Sequence, residues 1–137
     1  MRRKVVALIT LFVVILIAGC SLLGHEAPPE DIDKAAALFF QRLDKGAYDS
    51  IYDDAAKRFK QNQTRQTVSD SLKQLGANGK TVTFSRTTMP TQGEGKDRLM
   101  MPAYQVSFEQ ARGEVSLIFQ DEGGEWKLFG FSYKPHS

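Results

Sequence analysis

Leu72-Lys73-Gln74-Leu75-Gly76-Ala77-Asn78-Gly79-Lys80-Thr81-Val82-Thr83-Phe84-Ser85 is the stretch on which the fold turns. Before Gly76 the apolar residues recur at helical spacing. After Asn78-Gly79 they recur at every second position, with Val82 and Phe84 alternating against Thr81, Thr83 and Ser85. A period of about 3.6 lines up one stripe of a helix, and a period of about 2 fills one face of a strand. The chain therefore changes from helix to strand at this point. Upstream, Ile32, Ala35, Ala36, Phe39 and Leu43 share one helical face, opened by Glu30 and Asp31 and closed by Gly46. Acidic residues favour a helix N-terminus and glycine a helix stop. Tyr48, Ile51, Tyr52, Ala55 and Phe59 predict a second, shorter helix after a tight turn. Val68, Leu72 and Leu75 predict a third, with Thr67 and Asp70 spaced as a capping box and Gly76 as its stop.

Downstream of the switch, Thr91 to Asp97, with Gly93 and Gly95, reads as a hairpin loop. Tyr104, Val106 and Phe108 form the next strand, with Pro102 marking its start or a bulge. Val115, Leu117 and Phe119 form the third strand, Glu122-Gly123-Gly124 turns the chain, and Trp126 to Tyr133 makes the last. Three helices followed by about four antiparallel strands is the segregated α+β pattern, with the helices packed on one face of the sheet.

Two segments carry a family resemblance. Phe39-Phe40-Gln41-Arg42-Leu43-Asp44-Lys45-Gly46-Ala47-Tyr48-Asp49-Ser50-Ile51-Tyr52 resembles the opening of small NTF2-like domains, in which a Lys/Asn-Gly-Asp-Tyr turn joins two helices. Gly123-Gly124-Glu125-Trp126-Lys127-Leu128-Phe129-Gly130-Phe131 is similar to their final hairpin. The resemblance spans residues 32 to 134. It implies an NTF2-like, cystatin-like cone whose helices close over a curved sheet, often with a pocket inside and dimerisation through the other face of the sheet. NTF2-like enzymes such as ketosteroid isomerases and dehydratases use an Asp or His base with Tyr or Asp donors; those positions find no match here.

The N-terminus gives an address. Arg2, Arg3 and Lys4 precede a run from Val5 to Ala18 that is apolar except for Thr10, followed by Gly19 and the chain's one cysteine, Cys20. This is the three-part plan of an export signal, and the run falls short of the roughly 20 residues a membrane span needs. Ile17-Ala18-Gly19-Cys20 resembles the lipobox of bacterial lipoproteins. The resemblance implies cleavage between Gly19 and Cys20, lipid on the Cys20 sulfur and anchoring to a membrane. Ser21 in the next position resembles the outer-membrane sorting of enteric lipoproteins, facing the periplasm in a Gram-negative host; otherwise the outer leaflet of the cell membrane is expected. Residues 1–19 are then the signal, 20–30 a tether with Gly24, Pro28 and Pro29, and 31–137 one domain.

Loss of Arg2, Arg3 and Lys4 takes the formal charge from +2 to −1. A near-neutral exported domain gains little from phosphate neutralisation, so nucleic acid is not an expected partner. With Cys20 committed to lipid, no thiol is left for a disulfide or a thiolate metal site. His25 sits in the tether and His136 one residue from the end, so neither is expected to be a base or a ligand, and no metal, cofactor or catalytic residue is expected. Asp49, Asp53 and Asp54 have helical rather than calcium-loop spacing and read as a solvated face. Lys57, Arg58, Lys60 and Arg65 read likewise, with anionic head groups or peptidoglycan as the functional alternative. Gly93-Glu94-Gly95-Lys96 lacks the spacing of a phosphate loop.

The expected pocket lies between helices and sheet, lined by Phe39, Tyr52, Phe59, Tyr104 and Phe119. The last strand is apolar on both faces, which has two explanations. A bulge at Gly130 turns Trp126, Leu128, Phe131 and Tyr133 to the core and leaves Phe129 outside. A regular strand instead exposes Phe129, Phe131 and Tyr133 as an interface patch, and this is the favoured expectation. The expected function is a lipid-anchored, non-catalytic envelope module for a small apolar ligand or an envelope partner, with a homodimer among the partners. The alternatives are an isomerase- or hydrolase-type enzyme and a structural partner in an envelope complex.

Overall fold

A computed structural model describes residues 29–137, so the signal segment, Cys20 and His25 lie outside the described residues. Helix α1, Pro29–Asp44, takes in the last two residues of the expected tether. It buries the stripe that its periodicity marks, Ile32, Ala36, Phe39 and Leu43, and Phe40 beside it. Gly46, at φ 68°, turns the chain into α2, Tyr48–Asp53. The single second helix expected from sequence is two: α3 occupies Lys57–Asn62. Between them Ala56 is extended, and its N–H donates to the Leu128 carbonyl of the last strand at 2.8 Å. Ala56 has no side chain to cap the new helix. Glu122 does so from the sheet, its Oε2 accepting the Lys57 N–H at 3.0 Å.

Helix α4, Arg65–Gly76, begins earlier than the capping box predicted. Its cap is Thr64, whose hydroxyl accepts the Thr67 N–H at 3.1 Å. Such a cap satisfies one of the orphan donors at a helix start. The first turn, Arg65-Gln66-Thr67, is wholly polar, so no apolar period marked it.

The strands are β1 Thr81–Thr88, β2 Thr91–Gln92, β3 Leu99–Met100, β4 Ala103–Phe108, β5 Arg112–Glu122 and β6 Glu125–Pro135. The described residues thus hold four α-helices and six strands, where three and about four were expected. The loop between Pro90 and Pro102 is itself a small hairpin, β2 with β3, and Pro102 separates β3 from β4. All pairings are antiparallel. One flank of β5 takes β4 along its first half and β3 along its second, while β6 pairs with its other flank from end to end. Gly123 and Gly124, at φ 65° and 87°, form the β5–β6 turn, the double positive φ that a tight hairpin with the natural strand twist requires. At the sheet's margin, β1 carries register shifts at Val82 and Thr87, which spoil an edge for pairing with other chains.

The core lies between the helices and one sheet face. Along β5, Gly113, Val115, Leu117 and Phe119 are buried while Glu114, Ser116 and Ile118 are partly open. Tyr104, Val106 and Phe108 do the same on β4.

The regular last strand is corrected. Phe119 pairs with Leu128 and Ile118 with Gly130, so Phe129 is the extra residue of a bulge. Leu128, Phe131 and Tyr133 come to lie opposite Phe119, Leu117 and Val115, on the core face. Phe131 reaches Phe39 at 5.9 Å between ring centroids, and Tyr133 meets Phe108 edge-on at 5.8 Å. Phe129, Phe131 and Tyr133 are each partly buried against the core, so no outward aromatic patch forms.

Candidate functional site

A cleft of ≈ 250 Å³ opens between α1 and α2 on one side and β5 and β6 on the other. Its apolar wall is Phe39 from α1, Ile51 from α2, Phe119 from β5 and Leu128 from β6, brought together because each belongs to the inward face of its element. Leu38, 43% exposed, and the half-buried Trp126 stand beside them. Leu38 is the residue of α1 that falls off the buried stripe, so an exposed leucine next to a cleft has no core to explain it.

The polar part of the lining consists of two ion pairs. Arg42 Nη2 lies 2.6 Å from Asp54 Oδ2, and Lys127 Nζ lies 2.9 Å from Glu125 Oε2. The Glu125 hydrogen bond, ahead of all other influences, raises the Lys127 ammonium above its ordinary pKa and holds it charged. Beside the cleft, the Arg98 guanidinium lies over the Trp126 ring, 5.7 Å from Cζ to centroid.

The five residues expected to share one pocket are distributed over four places. Phe39 and Phe119 line this cleft. Phe59 lines a second groove of ≈ 360 Å³ with Asn62, Gln63, Thr67, Val68, Ser71 and the bulged Phe129-Gly130-Phe131. Tyr104 is 1% exposed in the core, where its hydroxyl donates to Asp33 Oδ1 at 2.8 Å. Tyr52 is half-buried at the margin of the core, donating to the Gln63 carbonyl at 2.9 Å with Arg65 stacked on its ring at 4.9 Å. Sequence periodicity placed these aromatics on inward faces without saying which inward faces meet. The charged lining and Leu38 were missed; the off-stripe position of Leu38 was the available signal.

The acidic and basic clusters of the second helical region largely engage each other. Arg65 of α4 bridges Asp49 and Asp53 of α2, and Lys60 Nζ donates to the Asp53 carbonyl at 2.8 Å. Arg58 lies 3.8 Å from Asp97 and over the Phe129 ring. These contacts clasp the short helices together. Among the described residues no group of three or more His, Cys, Asp or Glu converges as a metal site, and no helix is long and apolar enough to cross a membrane.

No family model matches the sequence, and no curated protein matches it either. Among solved structures it is similar to an NTF2-like designed protein, a substituted form of Rd1NTF2_05. The TM-score is 0.50 at 12% identity, over 78% of this chain and 100% of that one. A likeness at this identity speaks for the fold: an NTF2-like α+β domain with a curled antiparallel sheet under helices.

Proposed function

We propose that the chain is a non-catalytic binding module, held at the cell envelope by lipid on Cys20, which takes a small apolar ligand into the cleft between Leu38 and Trp126. The observation that carries this reading is the cleft itself, an apolar wall left open between helix layer and sheet, with a less polar lining than the second groove beside Phe59. Binding sites for small molecules are concave, mostly apolar and supplied with a few placed polar groups. The ionisable groups of the lining are occupied with one another as ion pairs, which suits holding a ligand better than moving a proton. The lipobox resemblance and the export signal support the anchored location.

Trp126 is the only tryptophan of the chain and borders the cleft, so its emission reports occupancy. Titration of the purified protein with N-phenylnaphthylamine, a neutral apolar fluorophore, is expected to quench Trp126 and enhance the probe at a saturable site. Leu38→Asp puts a charge against the ligand and is expected to weaken binding by about tenfold or more, with little change in Tm because Leu38 is already exposed. Absence of saturable binding, or unchanged binding by Leu38→Asp, would overturn the proposal.

A further inference from the structure

We infer that the free flank of β6 beyond Phe129 is a docking edge for a partner protein, which adds one extended, uncharged segment there as an extra antiparallel strand. Among the described strands β6 pairs with β5 alone, so its other flank carries no ladder. In an antiparallel ladder each residue either exchanges both backbone bonds with its opposite number or turns both groups to the far side. Three contacts fix which residues do which. The Leu128 carbonyl is turned outward, since it accepts the Ala56 N–H. The His136 N–H donates to the Arg112 carbonyl at 2.9 Å, so by alternation Lys134, Ser132 and Gly130 point to β5 while Pro135, Tyr133 and Phe131 point away. The Leu117 N–H, opposite Phe131, donates instead to the Pro102 carbonyl at 2.9 Å on the far side of β5, as this phase requires. Among the described residues, the backbone bonds outside the ladders leave the N–H and C=O groups of Phe131 and Tyr133 unpaired.

A bare edge is a template for another chain. The opposite margin of the sheet is spoiled by the register shifts in β1, whereas β6 runs one to one with β5 from Gly130 to Pro135. Its side chains lean inward and leave the flank uncovered: Phe131 packs on Phe39, and Tyr133 lies over Gly113 with its hydroxyl donating to the Arg112 carbonyl.

The surroundings select the occupant. Ala56 takes the edge at Leu128 and Pro135 offers no N–H, which confines pairing to Gly130–Lys134. Beside this stretch lies the second groove, walled on its far side by Phe59 of α3 and by Thr67, Val68 and Ser71 of α4. Those helices leave room for one strand and not for the sheet that a second copy would bring behind its own β6. The groove shares no lining residue with the cleft beside Trp126, and every side chain in its lining is uncharged. A charged residue entering it loses water without gaining a partner. Residues directly opposite each other in an antiparallel pair share a face. The incoming residues that bond Phe131 and Tyr133 therefore point into the groove and are apolar, and those between them lie on the outer face with Ser132 and are polar. Strand addition draws affinity from main-chain bonds and selectivity from such alternate positions.

Residue-resolved amide exchange on the full chain tests this. In dilute solution the Phe131 and Tyr133 amides are expected to exchange about tenfold or more faster than those of Ser132 and Lys134. Saturating acetyl-TVTVT-amide is expected to slow Phe131 and Tyr133 by about tenfold. The same peptide N-methylated at both valines, which lacks the N–H groups that meet β6, is expected to leave them unchanged, as are acetyl-TKTKT-amide and acetyl-TETET-amide. Slow exchange at both positions without peptide would mean that the chain covers its own edge, and slowing that appears only as protein concentration rises would mean that a second copy does; either overturns the proposal. So does a valine peptide without effect, or one matched by its N-methylated or charged forms.

Discussion

Two carboxylates tie α1 to the sheet: Asp44 at its end, which accepts from the Thr81 N–H and hydroxyl, and Asp33 in its first turns. Asp33 Oδ1 accepts from the Tyr104 hydroxyl at 2.8 Å and from Arg86 Nε at 3.0 Å, joining α1, β4 and β1. Burial, first, and the Asp33 hydrogen bond, second, hold the Tyr104 phenol above its ordinary pKa of 10.0. The unfolded chain ionises this tyrosine near pH 10 while the folded chain keeps the proton. The folded state then binds more protons, and stability falls as pH rises beyond about 10. Below that pH the contribution is fully present. Tyr104→Phe is expected to cost about 1–2 kcal/mol at neutral pH, for the lost hydrogen bond to a charged acceptor. Urea unfolding between pH 7 and 11 should show a shallower alkaline decline in the variant than in the wild type; parallel declines would contradict this.

At the scale of elements, the decisive feature is the bulge at Phe129. Without the extra residue, Leu128 and Phe131 would fall on opposite faces of β6; with it, both face β5's buried residues. The bulge lies next to Leu128, whose carbonyl accepts the Ala56 N–H and so fixes the break between α2 and α3. Phe131 packs on Phe39 but is only partly buried, so Phe131→Ser is expected to cost about 2 kcal/mol, roughly half the penalty of emptying a fully buried phenylalanine site. A cost below about 0.5 kcal/mol in urea unfolding, the range of ordinary surface changes, would restore the outward patch.

For the whole molecule, the expectation concerns attachment. The proposed diacylglyceryl group on Cys20 would supply two acyl chains, and two chains anchor stably where one does not. Mass spectrometry of the native protein is expected to find an N-terminus at a lipid-modified Cys20, and Cys20→Ser to abolish both cleavage and membrane association. An intact chain from Met1 with an unmodified Cys20 would refute the anchor.

The class of fold was legible in the sequence because it rests on period, and period is local. Ile32 to Leu43 repeats as a helix, Tyr104 to Phe108 and Val115 to Phe119 alternate as strands, and the structure places them so. The Gly123-Gly124 turn was legible for the same reason, since only glycine takes that backbone cheaply. What tertiary structure alone decided depends on partners distant in the chain. Ala56 leaves the helix for the carbonyl of Leu128, Glu122 caps a helix on another layer, and β5 shares one flank between two strands. The cleft is of this kind too. Of its charged lining only Asp54 had a reading in sequence, as part of a solvated face, and only the packing of α1 and α2 beside β6 sets Arg42, Asp54, Glu125 and Lys127 around one apolar wall.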